Sequence, residues 1–215
     1  MHISQVTVIY FFALIAAIIL HEISHGVVAL WFGDDTARRA GRLTLNPVPH
    51  IDPFGSIILP VMGALSGFPV LGWAKPVPVN PNRLGNPRRD MLMVSLAGPA
   101  TNFALMIAAA VVAQRLYHPA FNTSFVIIGD LPIGVQIAIS FAAVNLFLGV
   151  FNFLPIPPLD GAALLERVMP SRWRPGWEQF RPYGILVLFA LVFWGHLPDR
   201  LFSPFLQRLY DFILR

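Results

Sequence analysis

Residues 6–32 read VTVIYFFALIAAIILHEISHGVVALWF, and this apolar stretch decides the fold. It exceeds the roughly 20 apolar residues that an α-helix needs to cross a bilayer. Glu22 is its only acidic or basic residue apart from two histidines. A cleaved signal peptide would begin with basic residues, but residues 1–5 contain neither Lys nor Arg. We therefore predict that the segment is a retained spanning helix.

The composition of the whole chain agrees with a membrane protein. Of its 215 residues, 56% are hydrophobic and 12% are charged, whereas a soluble domain has about 25% charged residues. The absence of cysteine excludes disulfides and thiolate metal sites. The formal charge of +4 does not indicate nucleic acid as a partner, because the Lys and Arg residues lie at the ends of apolar segments.

Further apolar segments predict the architecture. They cover residues 54–72, 91–114, 133–154 and 183–197. Glycines and prolines interrupt 54–72, so that segment is predicted to be a broken or re-entrant helix. The tail, 199–215, is predicted to be an amphipathic surface helix. The expected fold class is an all-α polytopic membrane protein with about four spanning helices, in one domain over 1–215.

The distribution of basic residues predicts the orientation. If 54–72 enters the bilayer and returns, then 33–53, 73–90 and 155–182 share one side. Eleven of the fifteen Lys and Arg residues then lie on that side. Basic loops mark the cytoplasmic face, so the chain is predicted to lie in the inner (plasma) membrane with these loops in the cytoplasm.

Two short stretches within 41–81 flank the broken segment and alternate apolar with polar or Pro residues. They are 41–47 and 72–80, and both are predicted to be short membrane-associated β-strands. One strand edge could bind an unwound substrate by β-addition. The alternative is an anchor at the membrane surface around Trp73.

The motif His21-Glu-Ile-Ser-His25 carries the chemistry. His21 and His25 are one helical turn apart, so both rings can bind one metal ion. Glu22 lies close enough to act as a general base on a water molecule at the metal. Ionisable side chains at this depth are costly, at least about 2.5 kcal/mol for each charged group, which favours a functional role.

A zinc site with two His ligands needs a third protein ligand. His2, His118 and His196 lie near segment ends, and Asp130 lies in a loop on the far side. Asp160 follows the proline-rich end of 133–154, at a depth compatible with His25. It is equally suited to cap a helix starting at Ala162, and both interpretations stay open at this point.

The chain resembles the site-2 protease family of intramembrane metalloproteases. The resemblance rests on these motifs: HEISH at 21–25, LNP and HIDP up to residue 53, GWAKPVPVN at 72–80, AGPATN at 97–102, and NFLPIPPLDG at 152–161. It implies a single intramembrane protease domain that cleaves transmembrane protein substrates within the lipid bilayer. No stretch is long and polar enough for an inserted PDZ domain, so a minimal form is expected.

The resemblance also implies roles for individual residues. His21, His25 and Asp160 would hold one Zn²⁺ ion, and Glu22 would be the base. Asn152 would contact the substrate or the developing oxyanion. Asn102 would line the same cavity and bind substrate, although a helix–helix hydrogen bond is an equal alternative. His50 and Asp52 are assigned structural roles near the site.

Two other functions compete with proteolysis. Intramembrane His and Asp residues also mark ion pathways, so a metal transporter is the second candidate. Residues 6–20 offer only Thr7 and Tyr10 as polar groups, which disfavours a transport route. A non-catalytic scaffold would not need the general base Glu22. The pattern leaves the substrate open, and also whether the chain forms a homo-oligomer.

Overall fold

Helices dominate the computed structural model, which describes residues 4–58, 74–117, 128–193 and 197–214. The α-helices are α1 (Gln5–Trp31), α2 (Thr36–Arg39), α3 (Pro87–Leu116), α4 (Ile133–Asn152), α5 (Gly161–Val168), α6 (Arg174–Phe180), α7 (Gly184–Phe193) and α8 (Leu197–Ile213). Short helical turns lie at Val48–His50, Pro53–Ile58, Pro81–Arg83, Ile128–Asp130, Ser171–Trp173 and Arg181–Tyr183. The predicted all-α class is confirmed for these residues.

Three of the described helices are long and apolar enough to cross a membrane, namely α1, α3 and α4. This confirms a membrane protein. The predicted fourth span, 183–197, is described only as the ten-residue α7, and residues 194–196 lie outside the described ranges. Most of the predicted re-entrant segment 54–72 also lies outside them. Its described part, residues 54–58, belongs to the helical turn Pro53–Ile58.

The spanning helices pack on one another through small residues. The contact between α3 and α4 is the most extensive, and α1 packs against both. Ala109, Ala110 and Ala113 of α3 are buried against Ala138 and Ala142 of α4. Small side chains let helix backbones approach closely where lipid provides no hydrophobic driving force. The predicted amphipathic tail forms α8, which packs on α3 and α4.

Large apolar side chains face outward from this bundle. Phe11 and Phe12 of α1 are 58% and 63% exposed, and Ile107 of α3 is 58% exposed. Such exposure is costly in water but costs nothing against lipid chains. The outer surface therefore suits a bilayer, while His21 and His25 of α1 face the bundle.

The predicted β-strands are wrong in the part of the chain that can be compared. Residues 41–47 form turns and bends, and 74–80 are extended without strand pairing. The N–H groups of 74–80 bond elsewhere: Lys75 donates to the His50 carbonyl, Val77 to Glu22 and Asn80 to Asp34. Prolines at 76 and 78 have no N–H group. The segment 74–80 is therefore held by contacts with other parts of the chain and not by a ladder.

Candidate metal centre

Three ligand atoms converge in the interior of the bundle. His21 Nε2 lies 3.1 Å from His25 Nε2, and Asp160 Oδ2 lies 3.1 Å and 3.3 Å from these two nitrogens. Both histidines are buried, at 6% and 8% exposure. The structure thus brings together the residues that the sequence singled out as metal ligands.

Local structure explains how each ligand reaches this position. His21 and His25 lie on one face of α1, one turn apart. Asp160 occupies the residue before α5, which is the N-cap position that the sequence left as an alternative. Its side chain makes no capping hydrogen bond, and its carboxylate is directed at the two imidazoles instead. Its geometry therefore favours a ligand over a helix cap.

Hydrogen bonds to the Nδ1 atoms determine where the imidazole protons lie. His25 Nδ1 lies 2.7 Å from the carbonyl oxygen of Val94, which can only accept. His21 Nδ1 lies 2.6 Å from Asn102 Oδ1. Each neutral ring therefore carries its proton on Nδ1 and directs the Nε2 lone pair inward. Such outer partners fix the tautomer and orientation of metal-binding histidines.

A chain of amides fixes the orientation of Asn102 itself. Asn102 Nδ2 donates to Asn145 Oδ1 at 2.9 Å, and Asn145 Nδ2 donates to the Phe141 carbonyl at 2.9 Å. Because a backbone carbonyl only accepts, the direction of every bond in the chain follows. Asn102 and Asn145 are both fully buried. Asn145 is not among the predicted site residues, although an amide in the apolar middle of α4, between Gln136 and Asn152 near the helix ends, is a signal that could have found it.

The donor set fits zinc. Two imidazole lone pairs and a carboxylate oxygen converge, and Asp160 Oδ2 is buried without a hydrogen-bond partner among the described residues. Three acceptors without a proton between them need a cation. A tetrahedral ion at about 2.0–2.1 Å from its ligands separates them by about 3.3 Å, close to the observed spacing. Two His and one carboxylate also leave a fourth position for water, as catalytic zinc sites do.

Gly98 makes room for the two imidazoles. A Cβ atom at this position of α3 would lie 2.5 Å from His25 Nε2 and 2.6 Å from His21 Nε2. Such distances are far inside van der Waals contact, so only glycine lets α3 approach α1 here. Gly98 lies within the AGPATN motif, but no sequence pattern indicated that it faces the histidines.

Glu22, the predicted base, accepts a hydrogen bond from the backbone N–H of Val77 at 2.8 Å. Val77 is buried and packs near Gly26, one turn further along α1. The extended segment 74–80 therefore lies across α1 beside the metal centre and holds the Glu22 carboxylate. No pattern in the sequence predicts this contact.

The remaining predicted residues lie as follows. Asn152 ends α4 half-buried, and its Nδ2 donates to the Leu148 carbonyl at 3.0 Å. Asn102 is completely buried beneath His21, which favours the helix–helix hydrogen bond over substrate contact. His50 Nε2 bonds the Thr44 carbonyl at 3.0 Å, and Asp52 accepts from the N–H of Gly55 at 2.7 Å. These two residues organise the chain between α2 and Pro53–Ile58.

Replacing Asn102 by Ala is expected to weaken zinc binding by about 10–100-fold, because His21 loses the partner that orients it. Asn145→Ala should cost about tenfold, since it acts through Asn102. If the two side chains act as one hydrogen-bonded series, the zinc affinity of the double variant should equal that of Asn102→Ala alone. Competition with a chromogenic chelator measures all three affinities. Additive losses in the double variant would contradict this linkage.

A buried carboxylate ties the end of α1 to the segment that holds Glu22. Asp34 Oδ2 accepts from the Asn80 N–H at 2.6 Å, and Oδ1 accepts from both the N–H and the hydroxyl of Thr36. Burial alone would raise the pKa of Asp34, but these hydrogen bonds outweigh it and lower the pKa below its usual range. The ionised form is therefore the one that stabilises this junction.

We expect Asp34→Asn to lower thermal stability at neutral pH, by about 2 kcal/mol for the lost charge-assisted bonds. A lowered pKa in the folded state means that the stabilisation is present above the unfolded pKa, near 3.8. It is lost as the pH falls through the lower, folded pKa. The difference in unfolding temperature between wild type and Asp34→Asn in detergent should thus shrink below about pH 4. A difference that stays constant down to pH 2 would refute the assignment.

Three apolar spanning helices and a cluster of two buried histidines with the partly buried Asp160 define an integral membrane protein with a candidate metal centre of the zinc hydrolase type. The chain belongs to the peptidase family M50, the site-2 protease family, and it is a zinc metalloprotease. The model of this family, Peptidase family M50, matches residues 128–195, which include Asn152 and Asp160.

Relatives along most of the chain support this assignment. YwhC of Bacillus subtilis, which carries a zinc metalloprotease name, is 37% identical over 204 residues, covering 94% of this chain and 87% of YwhC. Rip2 of Mycolicibacterium smegmatis is 29% identical over 90% of this chain and 69% of its own length. Rip2 of Mycobacterium tuberculosis is 34% identical over 179 residues, which cover 81% of this chain and 64% of Rip2. No solved structure gives a significant match.

Proposed function

We propose that this protein is an intramembrane protease that hydrolyses peptide bonds of transmembrane protein substrates. The observation that carries the proposal is the convergence of two imidazole lone pairs and one carboxylate inside a membrane bundle, beside the carboxylate of Glu22. A transporter would need further polar groups along α1, and the metalloprotease family disfavours that alternative.

In this mechanism His21, His25 and Asp160 would hold the zinc ion. Bound zinc supplies Lewis acidity, which lowers the pKa of water to about 7 and polarises a carbonyl. Glu22 takes the proton of the attacking water on its carboxylate and returns it to the leaving amine. Asn102 and Asn145 keep the Nδ1 proton of His21 in place, so its Nε2 lone pair stays available.

Asn152 is proposed to donate a hydrogen bond to the oxyanion that develops on the substrate carbonyl. Its Nδ2 now donates to Leu148, at the end of α4 from which the chain leads to Asp160. The amide nitrogen of Asn152 has two donor hydrogens, so one can keep the bond to Leu148 while the other donates to the substrate.

The predicted orientation completes the proposal. Residues 33–53, 74–90 and 155–182 carry most basic residues, so we place them on the cytoplasmic side of the plasma membrane. His25 lies six residues before the end of α1 at Trp31, or about 9 Å below that side. The fourth span at 183–197 belongs to the same proposal.

The test uses purified protein in liposomes with two substrates that share one scissile sequence. One substrate carries it in a transmembrane helix, and the other is a soluble peptide. We expect cleavage of the membrane substrate, loss of cleavage after removal of zinc by a chelator, and recovery when zinc is restored. Preferred cleavage of the soluble peptide would overturn the intramembrane assignment while leaving the metalloprotease intact.

A further inference from the structure

A cavity with both basic and apolar walls lies away from the metal centre, between the first turns of α3, helix α5 and helix α6. Its volume is about 300 Å³. Arg88 of α3, Arg167 of α5 and Arg174 of α6 line it, together with Arg181 just beyond α6. Arg88, Arg167 and Arg181 are exposed and Arg174 is partly buried, and four positive charges around one cavity attract an anion.

The acidic residues of this cavity do not neutralise these charges. Glu166 and Glu178 are the two carboxylates in the lining, which leaves a net formal charge of +2. Glu166 is already engaged, because it accepts from Trp177 Nε1 at 2.7 Å and lies 3.5 Å from Arg181 Nε. Within the described ranges, Arg88, Arg167 and Arg174 make no ion pair.

Arg174 supplies a second, independent observation. Its Nε is buried and has no hydrogen-bond partner among the described residues. A buried N–H on a charged group is costly to leave unsatisfied. A guanidinium presents its N–H groups as a planar fork that matches two oxygens of a phosphate. An anion with several oxygens would therefore satisfy both the charge and the orphan donor.

The other walls indicate what carries that anion. Met91 and Leu92 of α3 and Met169 after α5 give the cavity an apolar side. α3 is a spanning helix whose first turn, with Pro87 and Arg88, lies at the predicted cytoplasmic membrane surface. This is the level at which phospholipid headgroups meet their acyl chains. A ligand with a phosphate beside an apolar tail fits both walls.

We propose that the cavity binds the phosphate of an anionic phospholipid headgroup through Arg88, Arg167 and Arg174. The bound lipid would link α3 to α5. Since α5 begins at Gly161, immediately after Asp160, the lipid would also steady the helix that presents this carboxylate. The proposal does not depend on protease activity, because the basic cavity and the metal centre use different residues.

The experiment compares binding of phosphatidylglycerol with that of phosphatidylcholine to the purified full chain, by native mass spectrometry. The test variant is Arg88→Gln with Arg174→Gln. The matched control is Arg89→Gln with Arg172→Gln, which removes the same charge from the neighbouring residues that do not line the cavity. We expect the wild type and the control to prefer phosphatidylglycerol, and the test variant to lose roughly tenfold in its affinity.

A second double variant distinguishes loss of the binding site from misfolding. Arg88→Lys with Arg174→Lys keeps the charge but removes the planar forks, so it should retain binding weakly. Circular dichroism and zinc content should match the wild type in every variant. Equal loss in the test variant and the control would show a general charge effect and overturn the site.

Competitors identify the source of the phosphate. Inorganic phosphate or glycerol phosphate at millimolar concentration should not displace phosphatidylglycerol, because neither contacts the apolar wall. Full displacement by either would make the ligand a soluble phosphate and overturn the lipid assignment. If oleate bound as strongly as phosphatidylglycerol, the cavity would recognise any negative charge on an acyl chain. That result would overturn the role of the phosphate.

Discussion

Replacing Glu22 by Gln is expected to lower the cleavage rate by about 10²–10⁴-fold while zinc binding is retained. The proposed metal ligands are His21, His25 and Asp160, and none of them bonds to Glu22. What the substitution removes is the ability to take a proton from water and pass it to the leaving amine. The effect should therefore fall on the turnover number.

The structure makes Gln the appropriate replacement. Glu22 Oε2 accepts from the Val77 N–H, and the carbonyl oxygen of a Gln side chain can accept the same bond. Segment 74–80 should then stay in place beside α1. A matched control is Ser24→Ala, in the same motif, whose hydroxyl donates only to the His21 carbonyl. Cleavage of a membrane-embedded substrate and zinc content are measured together. A Glu22→Gln enzyme with the wild-type rate would refute the assigned base.

The spanning helices could be predicted where apolar residues form long runs. The sequence predicts 6–32 and 133–154, and the structure has Gln5–Trp31 and Ile133–Asn152. The prediction for α3 began at 91, but the helix starts at Pro87, capped by Asn86, whose side chain accepts from the Arg89 N–H. Arg88, Arg89 and Asp90 hide this start from a hydropathy argument, although Asn-Pro is itself a start signal.

The residues of the candidate site also differ in whether local sequence predicts them. The two histidines follow from a local pattern, because four residues make one helical turn. The prediction of Asp160 as a ligand rested on its position after the proline-rich end of α4 and on the family resemblance. Val94, Gly98, Asn145 and Val77 act through contacts between distant segments. Local sequence does not encode which helix faces touch, so these partners emerge only from the packed bundle.

Gly98→Ala is expected to lower zinc affinity by about 100-fold and to abolish cleavage at limiting zinc. In most helices this substitution is favourable, by about 1 kcal/mol, because Ala is the better helix former. Here the new Cβ would lie 2.5 Å from His25 Nε2 and 2.6 Å from His21 Nε2, the two proposed ligand atoms. The rings cannot simply rotate away, because Asn102 and the Val94 carbonyl hold their Nδ1 atoms.

The control is Gly134→Ala near the start of α4, where an added Cβ would come no closer than 3.6 Å to Leu116 Cδ1. That variant should bind zinc like the wild type. Chelator competition gives the affinities, and circular dichroism reports whether the helices persist. Unchanged affinity in Gly98→Ala would mean that the imidazoles do not lie against α3 as described.

The two substitutions separate metal binding from catalysis. Glycine has no side chain that could bind zinc or transfer a proton, so a loss in Gly98→Ala must act through the positions of the two imidazoles. Excess zinc should therefore restore part of the activity of Gly98→Ala, since weak binding can be overcome by concentration. It should restore none in Glu22→Gln, whose metal site is already filled. Equal recovery in both variants would contradict the division between ligands and base.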